Sequence, residues 1–127
     1  MDNENIFTVS SDYEIATIFA NGTLDTLSIM CNNTEAVDIF GQYIKIMEYF
    51  NENGINSIEE VVIARHIYTN LVFLLGEDIG LKIPQYTFFM SYSFDYDELR
   101  LCEEWLVKHK DKICWYEEKN ILYIKNR

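Results

Sequence analysis

The sequence is poor in residues that interrupt secondary structure. Its 127 residues include one proline and five glycines. No tract is rich in Ser, Pro or Gly, the composition typical of linkers and disordered segments, and no internal repeat is visible. With 49% hydrophobic residues, a chain of this length buries roughly two thirds of its unfolded surface. We therefore expect residues 1–127 to form a single compact domain.

The chain also lacks long apolar runs and paired cysteines. No run approaches the roughly 18 residues of a membrane helix, and the first residues, MDNENIF, lack the basic and apolar regions of a secretory signal. Cys31, Cys102 and Cys114 form no CxxC motif, which is typical of free thiols in a reducing compartment and offers no paired metal ligands. These absences predict a soluble, cytoplasmic protein with no membrane association and no metal site.

Motifs for catalysis and cofactor binding are missing. The chain has no GxGxxG, GxxxxGK[ST], GxSxG or HExxH sequence, so nothing indicates a nucleotide cradle, a nucleophile elbow or a catalytic zinc site. Adjacent acids are numerous, but a hydrolase needs two carboxylates placed across a cleft, and adjacency does not provide that placement. We predict no catalytic residues and no cofactor, which favours a binding protein over an enzyme.

Basic residues are scarce and unevenly distributed. Ten Lys and Arg against 21 Asp and Glu give a formal net charge of -11, and residues 1–44 contain no Lys or Arg at all. Such a charge repels phosphate backbones and attracts cationic surfaces. It disfavours direct binding to nucleic acid and predicts a basic protein as the partner. Net negative charge also serves solubility alone, and this simpler interpretation stays open.

Periodicity and capping signals predict an α+β fold. An antiparallel sheet built from N- and C-terminal β-hairpins plus one strand, with about three helices packed on one face, is the simplest arrangement of the predicted elements. The last helix and hairpin also imitate a winged-helix domain, but acids on that helix argue against duplex binding. In order, the predicted elements are a hairpin over 13–31, a helix over 35–51 that stops at Gly54, an almost wholly apolar helix from Ser57 to about Leu75, a loop over 76–85, a strand over 86–94, a helix from Asp95 and a hairpin over 113–125.

The segment SFDYDELRLCEEW, residues 93–105, places five carboxylates around one arginine. Asp95 and Glu98 have the spacing of a capping box, and acids in a first helical turn are stabilised by the helix dipole. Glu103 and Tyr96 have no such local role. We predict that this face binds the basic partner, with a solvated helix face as the alternative. The predicted partner-binding residues are Asp95, Tyr96, Asp97, Glu98, Glu103 and Glu104.

A second candidate site is the pair Arg65 and His66 on the apolar helix. By helical spacing they lie near Thr69 and Asn70 on a narrow polar strip. In a ligand site, Arg65 would bind an anion and His66 would act as a general base. In the other interpretation, which we favour, the strip is a polar seam satisfied by hydrogen bonds.

These features favour a stoichiometric inhibitor whose acidic surface occupies a basic, nucleic-acid-binding face of a partner protein. Toxin immunity proteins and phage anti-defence proteins, including inhibitors of CRISPR and restriction nucleases, share this small, acidic and motif-poor character. Many isoleucines and asparagines beside few alanines fit a low-GC bacterium or its phage. The alternatives are a small-ligand-binding protein or small enzyme using Arg65 and His66, and an oligomeric structural subunit; the inhibitor itself would be a monomer or a homodimer.

Overall fold

The computed structural model describes residues 31–80 and 94–124, which form three helices followed by a two-stranded antiparallel sheet. The helices are α1 (Asn33–Asn53), α2 (Ile58–Ile79) and α3 (Tyr96–His109), and the strands are β1 (Ile113–Tyr116) and β2 (Ile121–Ile124). This part of the chain is α+β and includes the predicted C-terminal hairpin. None of its helices is both long and apolar enough to cross a membrane.

Side-chain caps set the start of each helix. Each begins after a residue whose side chain accepts a hydrogen bond from the backbone N–H three positions later: Asn32 for α1, Ser57 for α2 and Asp95 for α3. Such caps contribute about 1 kcal/mol each. Glu98 also accepts a bond from the backbone of Asp95, which confirms the predicted capping box. At the other end of α1, the helix stops at Gly54 as the sequence predicts.

The second helix is longer than the sequence predicts. A loop is expected from Gly76, but α2 continues to Ile79 and ends at Gly80, whose φ of 77° lies in the left-handed region that favours glycine. A tertiary contact holds this last turn, because the indole Nε1 of Trp105 donates to Oδ2 of Asp78 at 2.6 Å. A glycine inside a helix costs about 1 kcal/mol relative to alanine, and packing of the α2 end against α3 outweighs that cost.

The hydrophobic core lies between the helices and one face of the hairpin. Trp115 and Leu122 lie opposite each other in the two strands, and both are buried in this core. The ring of Phe40 in α1 stacks on that of Trp105 in α3, with centroids 6.0 Å apart. The predicted apolar stripe of α3 is confirmed: Leu99, Cys102 and Trp105 are buried, and Leu106 and His109 are half-buried.

The apolar surface of α2 is buried over only part of its length. The sequence predicts burial around nearly the whole helix, and the second half agrees. Its first turns differ, because Ile58 is 82% exposed and Val61 and Val62 are 43% and 39% exposed. The fully buried residues from the middle of the helix onward include Ile67, Leu71, Leu74 and Leu75.

Two predicted elements fall almost entirely outside the described residues. They are the hairpin over 13–31 and the strand over 86–94, of which only Cys31 and Phe94 are described. Phe94 is buried and precedes α3. The N-terminal hairpin and the third strand therefore stay predictions.

A disulfide bond links Cys31 and Cys114. It contradicts the prediction of three free thiols, which is correct only for Cys102. Cysteine count and local spacing carry no information about two residues 83 positions apart, which the fold brings together where the chain enters α1 beside β1. Because the cytoplasmic prediction assumed free thiols, the disulfide removes one of its supports.

Reduction of this bond is expected to destabilise the protein. Closing a loop of this length restricts the unfolded chain and contributes about 4 kcal/mol to the free energy of unfolding. Dithiothreitol should therefore lower the urea midpoint of the wild type, measured by far-UV circular dichroism. The Cys31→Ala/Cys114→Ala variant should have the lower midpoint with and without reductant.

The remaining cysteine serves as an internal control. Burial, together with the nearby carboxylates of Glu98 and Glu103, raises the pKa of the Cys102 thiol to about 12, so it stays protonated at neutral pH and does not exchange with the disulfide. Cys102→Ala should retain the response to dithiothreitol. A wild-type midpoint that reductant leaves unchanged would contradict the stabilising role of the bond.

Candidate partner-binding surface

The acids predicted to bind a partner lie mainly on the solvent side of α3. Asp97, Glu103 and Glu104 are exposed, and Tyr96 is 58% exposed. The opposite side of the helix carries the buried stripe, so the core fixes which side chains face water. The structure thus places these four residues on one exposed surface.

The other two predicted residues serve the helix itself. Asp95 and Glu98 each accept a hydrogen bond from the other's backbone N–H, at 2.8 and 2.9 Å. These bonds satisfy two N–H groups that a helix start leaves without a partner. Their carboxylates therefore stabilise α3 first, and a substitution at either position would change folding as well as any surface.

The exposed face of α3 also contains two basic residues, Arg100 and Lys108. Arg100 lies 3.6 Å from Asp97, and both side chains are largely exposed. An ion pair of this kind contributes little to stability, because water and salt screen it. It does reduce the negative charge near the helix start, and the exposed Lys108, four residues after Glu104, reduces it near the helix end.

Two aliphatic side chains on this face were missed by the sequence reasoning. Leu101 is 37% exposed and Val107 is 70% exposed. Both lie outside the apolar stripe of α3, and that position was the signal that could have identified them. With Tyr96 they place apolar surface among the carboxylates, and a mixture of apolar centre and polar rim is typical of protein interfaces.

Packing around Trp105 holds α3 in a fixed position. Its ring lies between those of Phe40, at a centroid distance of 6.0 Å, and His109, at 4.2 Å. Nδ1 of His109 lies 2.9 Å from the carbonyl oxygen of Trp105, and because a carbonyl only accepts, this nitrogen donates. With the bond to Asp78, these contacts make the outer face of α3 a preorganised surface.

His66, the centre of the second candidate site, lies in a buried seam between α2 and the hairpin. It is 1% exposed, and its Nε2 lies 2.6 Å from the carbonyl oxygen of Asn120, so this nitrogen donates. The hydroxyl of Tyr43 lies 3.5 Å from the same carbonyl. Burial raises the pKa of Tyr43, so its hydroxyl keeps the proton that it donates. Arg65 is only half-buried.

Asn70 continues the seam one turn further along α2. Its Nδ2 donates to the carbonyl oxygen of Leu122 at 2.9 Å, and its Oδ1 accepts from the N–H of the same residue at 2.7 Å. The amide thus makes the two hydrogen bonds that a neighbouring strand would make. These contacts give the polar strip the structural role that we favoured, and the ligand site at Arg65 and His66 stays a prediction.

Metal ligands are not gathered in the described part of the chain. Over 31–80 and 94–124, no group of three or more His, Cys, Asp or Glu is placed to hold an ion. Cys114 is bonded to Cys31, and the thiol of Cys102 is buried, so neither offers the thiolate that zinc requires.

Comparison with known proteins assigns no family. No protein-family model, curated protein or solved structure matches the chain. Because a fold alone does not determine a function, any functional argument has to rest on the side chains and charges described above.

Replacing Asn70 with alanine tests the seam. The substitution leaves the N–H and carbonyl of Leu122 buried without partners, so we expect a loss of about 3 kcal/mol in the free energy of unfolding, measured with urea. The matched control is Asn53→Ala, which removes an exposed bond to the carbonyl of Tyr49 at the end of α1 and should cost less than about 0.5 kcal/mol. Equal losses in the two variants would contradict the role assigned to Asn70.

Proposed function

We propose that the protein is a stoichiometric inhibitor that docks α3 against a basic face of a partner protein. The observation that carries the proposal is the outer surface of this helix, where carboxylates and exposed apolar side chains alternate on a rigid support. We call this surface the acidic face of α3. It consists of Tyr96, Asp97, Leu101, Glu103, Glu104 and Val107, with the exposed Arg100 and Lys108 beside them.

The net charge of the chain supports a basic partner. At -11, the protein attracts cationic surfaces over long distances and accelerates encounter with them. Nucleic-acid-binding proteins carry such surfaces, and carboxylates on a helix present negative charge where phosphates would otherwise bind. The apolar members of the acidic face would supply the desolvated centre of the contact. Toxin immunity and phage anti-defence are the functions of this kind that we propose.

The compartment of this interaction is a separate question. The cytoplasmic location predicted from the sequence assumes free thiols, and it stays a prediction. The bond between Cys31 and Cys114 is of a kind that persists in oxidising compartments. It favours a partner that the protein meets outside a reducing cytoplasm, which suits toxin immunity at the cell surface better than inhibition of a cytoplasmic nuclease.

Charge reversal on the acidic face tests the proposal. Glu103→Lys/Glu104→Lys avoids the capping residues of α3, and Asp38→Lys/Glu52→Lys makes the same charge change at exposed positions of α1. Tagged wild type and control should retain one basic host protein near one-to-one at low salt and release it as salt rises. The α3 variant should bind that protein at least tenfold more weakly, about 1.4 kcal/mol.

Two results would count against this function. Equal retention by the α3 variant and the wild type would show that the acidic face is not the contact. Capture of no basic protein by any of the three would contradict inhibition of a basic partner altogether.

A homo-oligomeric structural subunit is the second candidate, and the start of α2 favours it. Ile58, Val61 and Val62 have the spacing of one helix face and are exposed. A second copy of the chain could cover this face in a symmetric contact, in which each copy buries the same residues.

Light scattering tests the second candidate directly. If it holds, the wild type should have twice the mass of one chain, and Ile58→Lys/Val62→Lys should have the mass of one chain, because the charges cannot be buried together. Val107→Lys, at an exposed aliphatic residue of α3, should leave the mass unchanged. A wild type with the mass of one chain at high protein concentration would rule this candidate out.

A further inference from the structure

A cavity of about 210 Å³ lies between the start of α1 and the hairpin. Aromatic and acidic residues share its lining, which comes from both ends of the described chain. The lining residues are Trp115, Tyr116 and Tyr123, Glu35, Glu117 and Glu118, and Asn32. None of them belongs to the acidic face of α3.

The two walls of this pocket are covalently joined. Cys31 lies two residues before α1 and Cys114 lies in β1 directly before Trp115, so the disulfide fixes the start of α1 against the strand. Asn33 adds a second link, because its Nδ2 donates to the carbonyl oxygen of Ile113 at 3.0 Å. A pocket held in this way loses little conformational entropy when it is filled.

The aromatic part of the lining is well packed. Trp115 is 6% exposed and Tyr123 is 1% exposed, so packing fixes their rings, and the half-buried Tyr116 is the aromatic residue with surface left for a ligand. Burial raises the pKa of Tyr123, and the ring therefore stays neutral. The face of a neutral aromatic ring attracts cations, by about 0.5 to 2 kcal/mol depending on how far the cation is desolvated.

The charges around the pocket also favour a cation. Glu35, Glu117 and Glu118 are exposed around it, and the hydroxyl of Tyr116 donates to Oε2 of Glu118 at 3.4 Å. Positive charge nearby comes from the half-buried Lys119 and from the start of α1, which carries about half a positive charge. The described residues that line the pocket include three carboxylates and no Lys or Arg, so this lining has a net negative charge.

We propose that this pocket binds an organic cation through Tyr116 and the surrounding carboxylates. Its volume is below the roughly 300 to 1,000 Å³ of pockets for drug-sized ligands, which suits a single head group such as a methylated ammonium or a guanidinium. The cation would belong either to a free small molecule or to a side chain of another protein. This inference does not rest on the proposed inhibitor function.

Nuclear magnetic resonance of the ¹⁵N-labelled wild type provides the test. The probes are tetramethylammonium chloride, for a free ligand, and Nα-acetyl-arginine amide, for a protein side chain, each compared with sodium chloride at equal ionic strength. We expect at least one probe to shift the indole N–H signal of Trp115 to saturation. The indole signal of Trp105, which is bonded to Asp78 in another part of the core, should not move.

The probe that saturates identifies the source of the cation. Saturation by tetramethylammonium alone indicates a small quaternary ligand, and saturation by the arginine amide indicates a basic side chain. Absence of saturation with either probe, or an equal shift with sodium chloride, would overturn the proposal.

A charge-neutral variant tests the role of the carboxylates. Glu117→Gln/Glu118→Gln changes exposed residues between the strands and should weaken binding of the saturating probe about tenfold. Glu52→Gln/Glu59→Gln removes the same charge at exposed positions that do not line the pocket, and it should bind like the wild type. Equal affinity in both variants would overturn the proposal. Because Glu103 and Glu104 are unchanged in both, the outcome is independent of the test on α3.

Discussion

Within residues 31–80 and 94–124, the hairpin of β1 and β2 receives hydrogen bonds from asparagine side chains at backbone groups on its edges. A two-stranded sheet is marginally stable alone, because each strand has one unpaired edge. Asn70 of α2 bonds to both backbone groups of Leu122, and Asn33 of α1 bonds to the carbonyl of Ile113. These contacts attach the hairpin to two helices and fix Trp115, which belongs both to the core and to the pocket.

The parts of the fold that local signals encode were predictable. Helix starts after Asn32, Ser57 and Asp95 follow from capping residues, and the hairpin follows from two β-prone runs around a turn, because each signal involves neighbours in sequence. The extension of α2 beyond Gly76 was not predictable in this way, since it depends on packing against α3. The disulfide was not predictable from the sequence for the same reason, because only the folded chain brings its two cysteines together.

The candidate sites also differ in how far local sequence signals could predict them. The apolar stripe of α3 already determines which acids face solvent, so most of the acidic face could be predicted from helical spacing. The polar strip of α2 was also visible, but its partners, the backbone of Leu122 and the carbonyl of Asn120, were not. No sequence pattern predicted the pocket, because Glu35 and the hairpin acids are far apart in sequence. The adjacency of Glu117 and Glu118 in sequence does not indicate a shared cavity.

The asparagine contacts also restrict how other chains bind to this hairpin. An open strand edge can recruit a strand from another protein, a mode called β-augmentation, or nucleate aggregation. Both backbone groups of Leu122 and the carbonyl of Ile113 already bond to side-chain amides of the same molecule. Strand addition at these two positions would have to displace buried or half-buried bonds, so the asparagines oppose this mode of binding there.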